Sequence, residues 1–362
     1  MVELSKGIID CYRTIAQDYS HPERERYLRF QANIRKIFGI DVDEKAFMEF
    51  MEIHQRNIDF MKLKQFPSWA HVIQPQKAPQ PAIYVTLHIG LYTSIIYLLV
   101  SQGISICVPV TRRVFEQQRG LYEACFDQAI KPGSANLHFV NIEEPAGLFK
   151  LFRDVKKGYS LLFYIDGNSG IGGMERKDDK LQPVDFFNKV FYVRKGLGFF
   201  SYKFNLDIQP LYSYVNGKQQ VFIKYLPVLH LKRTGGIDDY EKAVTCKIWE
   251  TFKSAISDYL PQWEGWLYAD TYLRDRPVID TSTITGNSFH FNKSRFAPII
   301  KDHVNYLYDR YNNVLIKMSD TLFGLILKIL ESKESLSLQE IRDIIGKPTL
   351  IEDLLNYNIL VN

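Results

Sequence analysis

Two polar clusters in the sequence combine residue types that suit proton transfer. His88 follows the apolar and β-branched run 83–87, and a glycine stands two positions after it. Asp166 follows the apolar run 159–165, and Gly167 and further glycines come next. Each cluster is expected where a buried strand opens into a loop, which is where ligand-handling residues of open α/β sheets collect. An imidazole, a carboxylate and glycines that let the backbone approach a ligand indicate acyl or phosphoryl transfer.

The composition is that of an ordinary globular protein. The chain has 362 residues, of which 46% are hydrophobic and 24% charged, and its formal net charge is +4. This length suits one large domain plus a small one, and because Lys and Arg are spread along the chain, no nucleic-acid partner is indicated. The cysteines form no Cys-x-x-Cys pair, which argues against a zinc site or a disulfide framework and fits a reducing compartment. They are Cys11, Cys107, Cys125 and Cys246. The N-terminus lacks the apolar core of a signal peptide, so we expect a cytoplasmic protein.

Periodicity predicts the elements that position the two clusters. Residues 3–60 have apolar positions at helical spacing and predict two or three amphipathic helices. From residue 82, short apolar runs alternate with helical patterns, which is typical of a mostly parallel sheet covered by helices. The turn at 215–218 lies between two β-rich runs and predicts one antiparallel hairpin, so the fold class is α/β with a mixed sheet. The predicted strands are 83–87, 104–110, 137–140, 159–165, 208–214 and 221–226, and the predicted helices between them are 115–128, 147–156 and 239–259.

A polar, turn-forming stretch at 274–290 predicts a linker between two domains. Residues 1–273 are expected to form the α/β domain with its N-terminal helices, and residues 291–362 a small second unit. The small unit has two β-like runs around an Asp/Asn-rich turn and then three short amphipathic helices, which is a winged-helix-like plan. Its third helix is acidic, which argues against DNA binding.

Several short motifs occur in the order found in the lysophospholipid acyltransferase superfamily. The chain resembles in particular its bacterial branch of late acyltransferases of lipid A, over about residues 25–273. The resemblance depends on the order of several motifs and not on one signature. These are His88-x-Gly-x-x-Thr93, Lys157-Gly158 before the strand ending at Asp166, Val184-Asp-Phe-Phe187, Gly196 at a helix start, Pro210, and Tyr259-Leu-Pro-Gln-Trp263.

The resemblance implies a catalytic role for three of these residues. His88 matches the histidine that deprotonates the acceptor, and Thr93 stands where the family has a carboxylate five positions later. A threonine hydroxyl can orient an imidazole, but it cannot stabilise the imidazolium that forms. Asp166 matches the family's carboxylate at the end of the strand after Lys157-Gly158, where it either orients His88 from across the sheet or caps a turn. If a missing carboxylate limits the rate, Thr93→Asp should raise activity.

Substrate contacts are also implied by the resemblance. Arg112 and Arg113 match a basic region that meets phosphate groups of donor or acceptor, and Arg194 lies just before a helix start where it would do the same. The backbone around Gly167 and Asn168 is a candidate oxyanion site.

The reaction implied is transfer of a fatty acyl group from acyl-CoA or an acyl carrier protein to a hydroxyl or amine of a lipid or peptide. No metal or cofactor is expected, and peripheral contact with the inner membrane face fits such acceptors. The alternative is a catalytically retired acyltransferase fold that binds a lipid, peptide or carrier protein. A hydrolase is disfavoured because no Gly-x-Ser-x-Gly elbow is present.

Two further patterns leave alternatives open. The C-terminal unit is similar to the small PqqD-type winged-helix domains, which hold a leader peptide as an added strand, but a plain helical appendage is an equal reading. Aromatic pairs after residue 185 either line an acyl tunnel or fill the core, and Trp263 and Trp266 are expected in the core. The pairs are Phe186-Phe187, Phe191-Tyr192 and Phe199-Phe200.

Overall fold

The computed structural model describes residues 15–60, 71–73, 79–129, 135–167, 181–231, 233, 235–273, 288–332 and 335–361. The helices of this part of the chain are α1 (Arg24–Phe38), α2 (Glu44–Phe60), α3 (Ser94–Ser101), α4 (Arg112–Ala129), α5 (Gly147–Lys156), α6 (Gly196–Phe204), α7 (Ile237–Asp258), α8 (Asp320–Glu331), α9 (Leu338–Ile345) and α10 (Pro348–Asn356). The strands are β1 (His71–Ile73), β2 (Ile83–Thr86), β3 (Ile106–Val110), β4 (Leu137–Asn141), β5 (Ser160–Tyr164), β6 (Leu181–Phe186), β7 (Lys189–Arg194), β8 (Ile208–Val215), β9 (Val221–Tyr225), β10 (Ser288–Phe291), β11 (Phe296–Lys301), β12 (Val304–Asp309), β13 (Val314–Lys317), β14 (Leu336–Ser337) and β15 (Leu360–Val361).

The chain divides into two compact units. The central unit comprises Met48–Arg274, and the terminal unit comprises Met1–Phe47 together with Asp275–Asn362. The boundary at residue 274 coincides with the start of the predicted linker. The N-terminal residues before Met48 belong to the terminal unit, whereas the sequence analysis assigned them to the α/β domain. Most of the predicted linker, residues 274–287, lies outside the described residues.

A seven-stranded sheet forms the frame of the central unit. Its strand order is β1-β9-β8-β2-β5-β3-β4, and among its neighbouring pairs only β8 and β9 are antiparallel. The mixed, mostly parallel sheet flanked by helices that the sequence predicts is therefore confirmed. Strand β2 is buried along its whole length, as expected for a parallel strand covered on both faces. Because β2 and β5 are parallel neighbours, their carboxyl ends meet at one edge of the sheet.

A second, two-stranded hairpin pairs β6 with β7. Val184 and Phe186 point into the core and Asp185 faces solvent, which is the alternation of a half-buried strand. Helix α6 begins at Gly196, where the sequence motif placed a helix start.

The terminal unit contains two small antiparallel sheets and three C-terminal helices. One sheet has the order β11-β12-β13 and the other β14-β10-β15. Helix α8 begins where the Ser319 hydroxyl accepts a hydrogen bond from the Leu322 N–H, and α9 begins with a capping box between Ser337 and Glu340. Apolar faces of α8, α9 and α10 pack together in one core cluster with Phe289.

Candidate active site

His88 and Asp166 meet at the carboxyl ends of β2 and β5. The last paired residues of the two strands are Thr86 and Tyr164, so His88 and Asp166 lie at equivalent positions two residues further on. The His88 Nδ1 atom is 2.7 Å from Asp166 Oδ1. The backbone N–H of His88 also donates to this carboxylate, at 2.9 Å to Oδ2 and 3.1 Å to Oδ1. One carboxylate therefore fixes both the ring and the backbone of the histidine.

This contact assigns the protonation pattern of the neutral imidazole. Because a carboxylate only accepts hydrogen bonds, Nδ1 carries the proton and Nε2 carries the lone pair. Among the described residues we find no hydrogen bond to Nε2, and the side chain of His88 is 23% exposed. The rings of Tyr92 and Tyr164 pack against the imidazole with centroids 4.7 Å and 4.9 Å away. An imidazole oriented in this way, with Nε2 not hydrogen-bonded by any described residue, has the chemistry that a general base requires.

The pKa of His88 is raised above its usual value of 6.5. Burial by itself lowers this pKa, because it disfavours the charged ring, but the charge and hydrogen bond of Asp166 outweigh it, with a further contribution from Glu264. Stabilisation of the imidazolium is what a base needs after it has taken a proton.

Asp166 is itself held by two aromatic side chains. Its side chain is fully buried, and the indole Nε1–H of Trp263 donates to Oδ2 at 2.7 Å. The Tyr272 hydroxyl donates to the Asp166 carbonyl at 2.8 Å. Burial and the charge of Asp166 raise the pKa of Tyr272 well above its usual range, so this hydroxyl keeps its proton. A buried carboxylate with these donors is fixed in position and remains hydrogen-bonded.

The segment that carries Trp263 also holds the backbone of the histidine loop. Glu264 N–H donates to the His88 carbonyl at 2.8 Å, and Gly90 N–H donates to the Gln262 carbonyl at 3.0 Å. Gly90 has a φ of +59°, and a Cβ there would overlap the main chain of Ser213, so only glycine fits. Residues 262–264 thus position His88 through the backbone and Asp166 through the indole.

Trp263→Phe is expected to lower kcat about tenfold, because an aromatic side chain remains in the core but the indole hydrogen bond to the Asp166 carboxylate is lost. The matched control is Trp266→Phe, since Trp266 is equally buried and donates its indole N–H to the Leu260 carbonyl at 2.6 Å. Steady-state kinetics and thermal unfolding of both variants test this. Equal losses of kcat in the two variants would assign Trp263 a structural role only.

Glu264 adds a second carboxylate beside the base. The Tyr92 hydroxyl donates to Glu264 Oε2 at 3.0 Å, and His54 Nδ1 lies 3.7 Å from the same oxygen. Burial raises the pKa of Glu264, but the contact with His54, the charges of His88 and His54, and the Tyr92 hydrogen bond lower it to about 2. Glu264 is therefore ionised at neutral pH and favours a protonated His88. The sequence analysis did not identify it.

Thr93 does not contact the histidine. Its hydroxyl and its backbone N–H both donate to Asn57 Oδ1, at 2.9 Å and 3.2 Å, and the residue is 1% exposed. The side-chain amide of Asn57, on helix α2, in turn donates to the Gly90 carbonyl at 2.8 Å, so this residue links Thr93 to the histidine loop. The carboxylate that contacts the His88 ring is that of Asp166.

This geometry changes the expectation for Thr93→Asp. We expect no gain in activity and a less stable protein, because the new carboxylate would be buried against the Asn57 carbonyl oxygen while Asp166 already binds Nδ1. Thr93→Ser, which keeps the hydroxyl, is the matched control and should retain both stability and rate. Urea unfolding and turnover of the two variants provide the measurement, and a faster Thr93→Asp enzyme would contradict this account.

The predicted anion contacts lie on different elements. Arg112 and Arg113 are exposed at the start of α4, where the Arg112 N–H donates to Glu143 Oε2 and the Arg113 side chain contacts Gln117. Among the described residues, no hydrogen bond or ion pair joins them to His88 or Asp166. Arg194 is the last residue of β7. Its charge lowers the pKa of Tyr272 against the effect of burial, so Arg194 lies near the tyrosine that donates to the Asp166 carbonyl.

The proposed oxyanion segment is only partly described. Gly167 follows Asp166 directly, and a Cβ there would make only an ordinary contact with the Tyr164 carbonyl at 3.7 Å. Asn168 and the glycines after it lie outside the described residues.

The aromatic pairs differ in their surroundings. Phe186 and Phe191 are fully buried and stacked with centroids 4.1 Å apart, and Phe186 packs against Trp263 at 5.7 Å. They fill the core behind the site. Trp266 and Trp263 are also fully buried, as the sequence predicts. Phe199 and Phe200 are only half-buried, on the outer helix α6.

The described residues show neither a metal-binding cluster nor a membrane-spanning helix. They contain no group of three or more His, Cys, Asp or Glu side chains that could hold a metal ion. Within the same residues, every helix is too short or too polar to cross a bilayer.

Comparison with known proteins shows similarity to solved structures. No protein-family model and no curated protein matches the chain. Among solved structures, it is similar to the crystal structure of the 1-acyl-sn-glycerophosphate (LPA) acyltransferase PlsC from Thermotoga maritima. That match has 14% sequence identity and a TM-score of 0.34, and it covers 66% of this chain and 96% of that chain.

Proposed function

We propose that the protein transfers a fatty acyl group from a thioester donor to an acceptor hydroxyl or amine, with His88 as the general base. The observation that carries this proposal is the hydrogen bond of 2.7 Å from His88 Nδ1 to Asp166 at the carboxyl edge of a parallel sheet, with no hydrogen bond from any described residue to Nε2. The order of motifs from His88 to Trp263 supports the acyl chemistry, since it resembles that of lysophospholipid acyltransferases.

The proposed step moves one proton and exchanges one bond. Nε2 of His88 takes the proton of the acceptor O–H or N–H as the acceptor oxygen or nitrogen attacks the thioester carbonyl. A C–O or C–N bond forms, the C–S bond breaks, and the imidazolium returns its proton to the leaving thiolate. Asp166 and Glu264 stabilise the imidazolium between these two transfers. The products are an acylated acceptor and a free thiol.

Donor and acceptor belong to the same proposal. Acyl-CoA or an acyl carrier protein supplies the thioester, and Arg112, Arg113 and Arg194 provide charges for its phosphate groups. The acceptor is a lipid or a peptide. A peptide is supported by the terminal unit, where β13 pairs only with β12 among the described strands and exposes Val314 and Ile316, as expected of an edge that accepts an added strand.

Intact-mass spectrometry tests this function. The purified full-length protein is incubated with a panel of acyl-CoA and acyl-carrier thioesters, with lipid and peptide acceptors in separate arms. We expect an acceptor mass increased by one acyl group in the wild type and not in His88→Ala. Tight binding of a thioester or peptide without any turnover would instead support the retired, binding-only fold, and free fatty acid without acylated product would indicate hydrolysis.

A further inference from the structure

The outer face of helix α5 is unusually apolar for a solvent-facing surface. Phe149 is 75% exposed and Leu148 is 43% exposed. Phe152, half-buried, lies on the same face because it follows them by three and four positions. Leu151 and Val155 are the apolar side chains of this helix that are buried. The apolar side chains on the outer face are therefore additional to those that attach α5 to the core.

This surface continues onto the neighbouring helix α6. The Phe152 ring lies 4.7 Å from Phe204 and 6.5 Å from both Phe199 and Phe200, measured between ring centroids. Phe199, Phe200 and Phe204 are all half-buried. We call the following six residues the aromatic patch: Leu148, Phe149, Phe152, Phe199, Phe200 and Phe204.

The exposed charged side chains of helices α5 and α6 are basic. Arg153, Lys156 and Lys203 are exposed on the same two helices, and the Lys203 ammonium lies 5.9 Å from the centre of the Phe199 ring. Helix α6 contains no Asp or Glu, and the carboxylate of α5, Asp154, is only 2% exposed. Arg153 keeps a distant contact of 3.7 Å with Asp154, but its side chain is 64% exposed.

We propose that the aromatic patch docks on the surface of an anionic lipid bilayer. Phenylalanine and leucine side chains lower the free energy when they leave water for the boundary between headgroups and acyl chains. Lysine and arginine side chains beside them are attracted electrostatically to anionic headgroups. Apart from these mobile cationic ends, the outer face of α5 offers no polar side chain that would select a folded partner through fixed hydrogen bonds. A fluid bilayer surface requires only apolar side chains that can insert into it and positive charges beside them. The two helices provide both.

The aromatic patch reaches the strand that leads to the candidate site. Phe200 lies 5.5 Å from Phe163 of β5, and the next residue, Tyr164, packs on the His88 ring. Because successive residues of a strand point to opposite faces, β5 separates the two contacts while bringing them to the same end of the sheet. The docking proposal does not depend on the proposed reaction, since it is tested without donor or acceptor.

Vesicle flotation with the full-length protein tests the docking. We expect binding to vesicles of phosphatidylcholine mixed with an equal amount of phosphatidylglycerol, and much weaker binding to phosphatidylcholine alone. The double variant Leu148→Ser/Phe149→Ser should bind the anionic vesicles about tenfold more weakly, because it removes the most exposed apolar area. Tyr357→Ser is the matched control, since Tyr357 is 61% exposed in the terminal unit, and it should bind like the wild type.

A charge-reversal variant tests the role of the basic side chains beside the aromatic patch. Lys156→Glu/Lys203→Glu changes two exposed side chains and should abolish binding to anionic vesicles without a change in circular dichroism or thermal unfolding. The proposal is overturned if the wild type does not float with anionic vesicles, even if it binds an acidic carrier protein instead. It is also overturned if the Leu148→Ser/Phe149→Ser protein binds as tightly as the wild type.

Discussion

Replacing His88 with alanine is expected to lower the acyl-transfer rate by about 10²–10⁴-fold, the usual contribution of a positioned general base. The fold should survive, because the side chain is partly exposed and Asp166 keeps two donors, the Trp263 indole and the backbone N–H of residue 88. The rate is measured by release of free thiol from an acyl thioester in the presence of acceptor. Thermal unfolding of the same preparation checks the fold.

His230→Ala is the matched control for this variant. His230 also pairs with a carboxylate, with Nδ1 at 2.9 Å from Asp207, but its side chain is 58% exposed. We expect this variant to transfer acyl groups at the wild-type rate. Full activity of His88→Ala, with the acceptor acylated as in the wild type, would show that another group is the base.

Asp166→Asn is expected to have an effect of the same order, a loss of about 10²–10⁴-fold in kcat, by analogy with the aspartate of serine-protease triads. An asparagine keeps the shape and still accepts from the Trp263 indole. Its amide N–H can, however, donate to Nδ1 and so favour the imidazole tautomer that carries its proton on Nε2. An Nε2 atom that is already protonated cannot act as a base. Steady-state kinetics gives the loss, and Asp185→Asn, a change at a solvent-facing carboxylate, is the control.

The same variant should change the pH dependence of the reaction. The base is active when His88 is neutral, so the rate should fall as the pH falls through the His88 pKa. That pKa is raised above 6.5 in the wild type, and Asp166 is the main group that raises it against burial. The acidic limb of the residual activity of Asp166→Asn should therefore lie at lower pH than that of the wild type. An acidic limb at the same pH as in the wild type, or at a higher pH, would contradict the contact assigned between Asp166 and His88.

The strands that carry the site were predictable from the sequence, because the periodicity of apolar residues reflects directly which residues are buried. The strands predicted at 83–87 and 159–165 are β2 and β5, with ends within one residue or so of the prediction. The turn at 215–218 joins the antiparallel pair β8 and β9 as predicted. His88 and Asp166 were selected because polar residues after buried strands meet at the carboxyl edge, and the structure brings them into direct contact.

The support of the site was not predictable in the same way. Trp263 and Tyr272 reach Asp166 across about a hundred residues of sequence, at 97 and 106 positions. The sequence analysis expects Trp263 in the core, and it is indeed fully buried, but burial says nothing about where its N–H donates. The motif Tyr259-Leu-Pro-Gln-Trp263 was the one available signal for this segment.

Thr93 shows that the spacing of residues in a sequence motif does not determine which of them are in contact in the fold. A residue five positions after the histidine falls near the start of α3, and here its hydroxyl is used by Asn57 of α2. The partner of the imidazole comes instead from the neighbouring strand. The hairpin of β6 and β7 was missed for a related reason, since its alternation is short and includes Pro183.

The mass balance between thiol and acylated acceptor tests the central claim most directly. Acyl thioester is supplied in limiting amount to the wild-type protein with a responsive acceptor, and free thiol, acylated acceptor and free fatty acid are quantified in the same sample. The account predicts one acylated acceptor for each thiol released and almost no free fatty acid, with both products lost in His88→Ala. Thiol release matched by free fatty acid, or no thiol release from any donor, would contradict it.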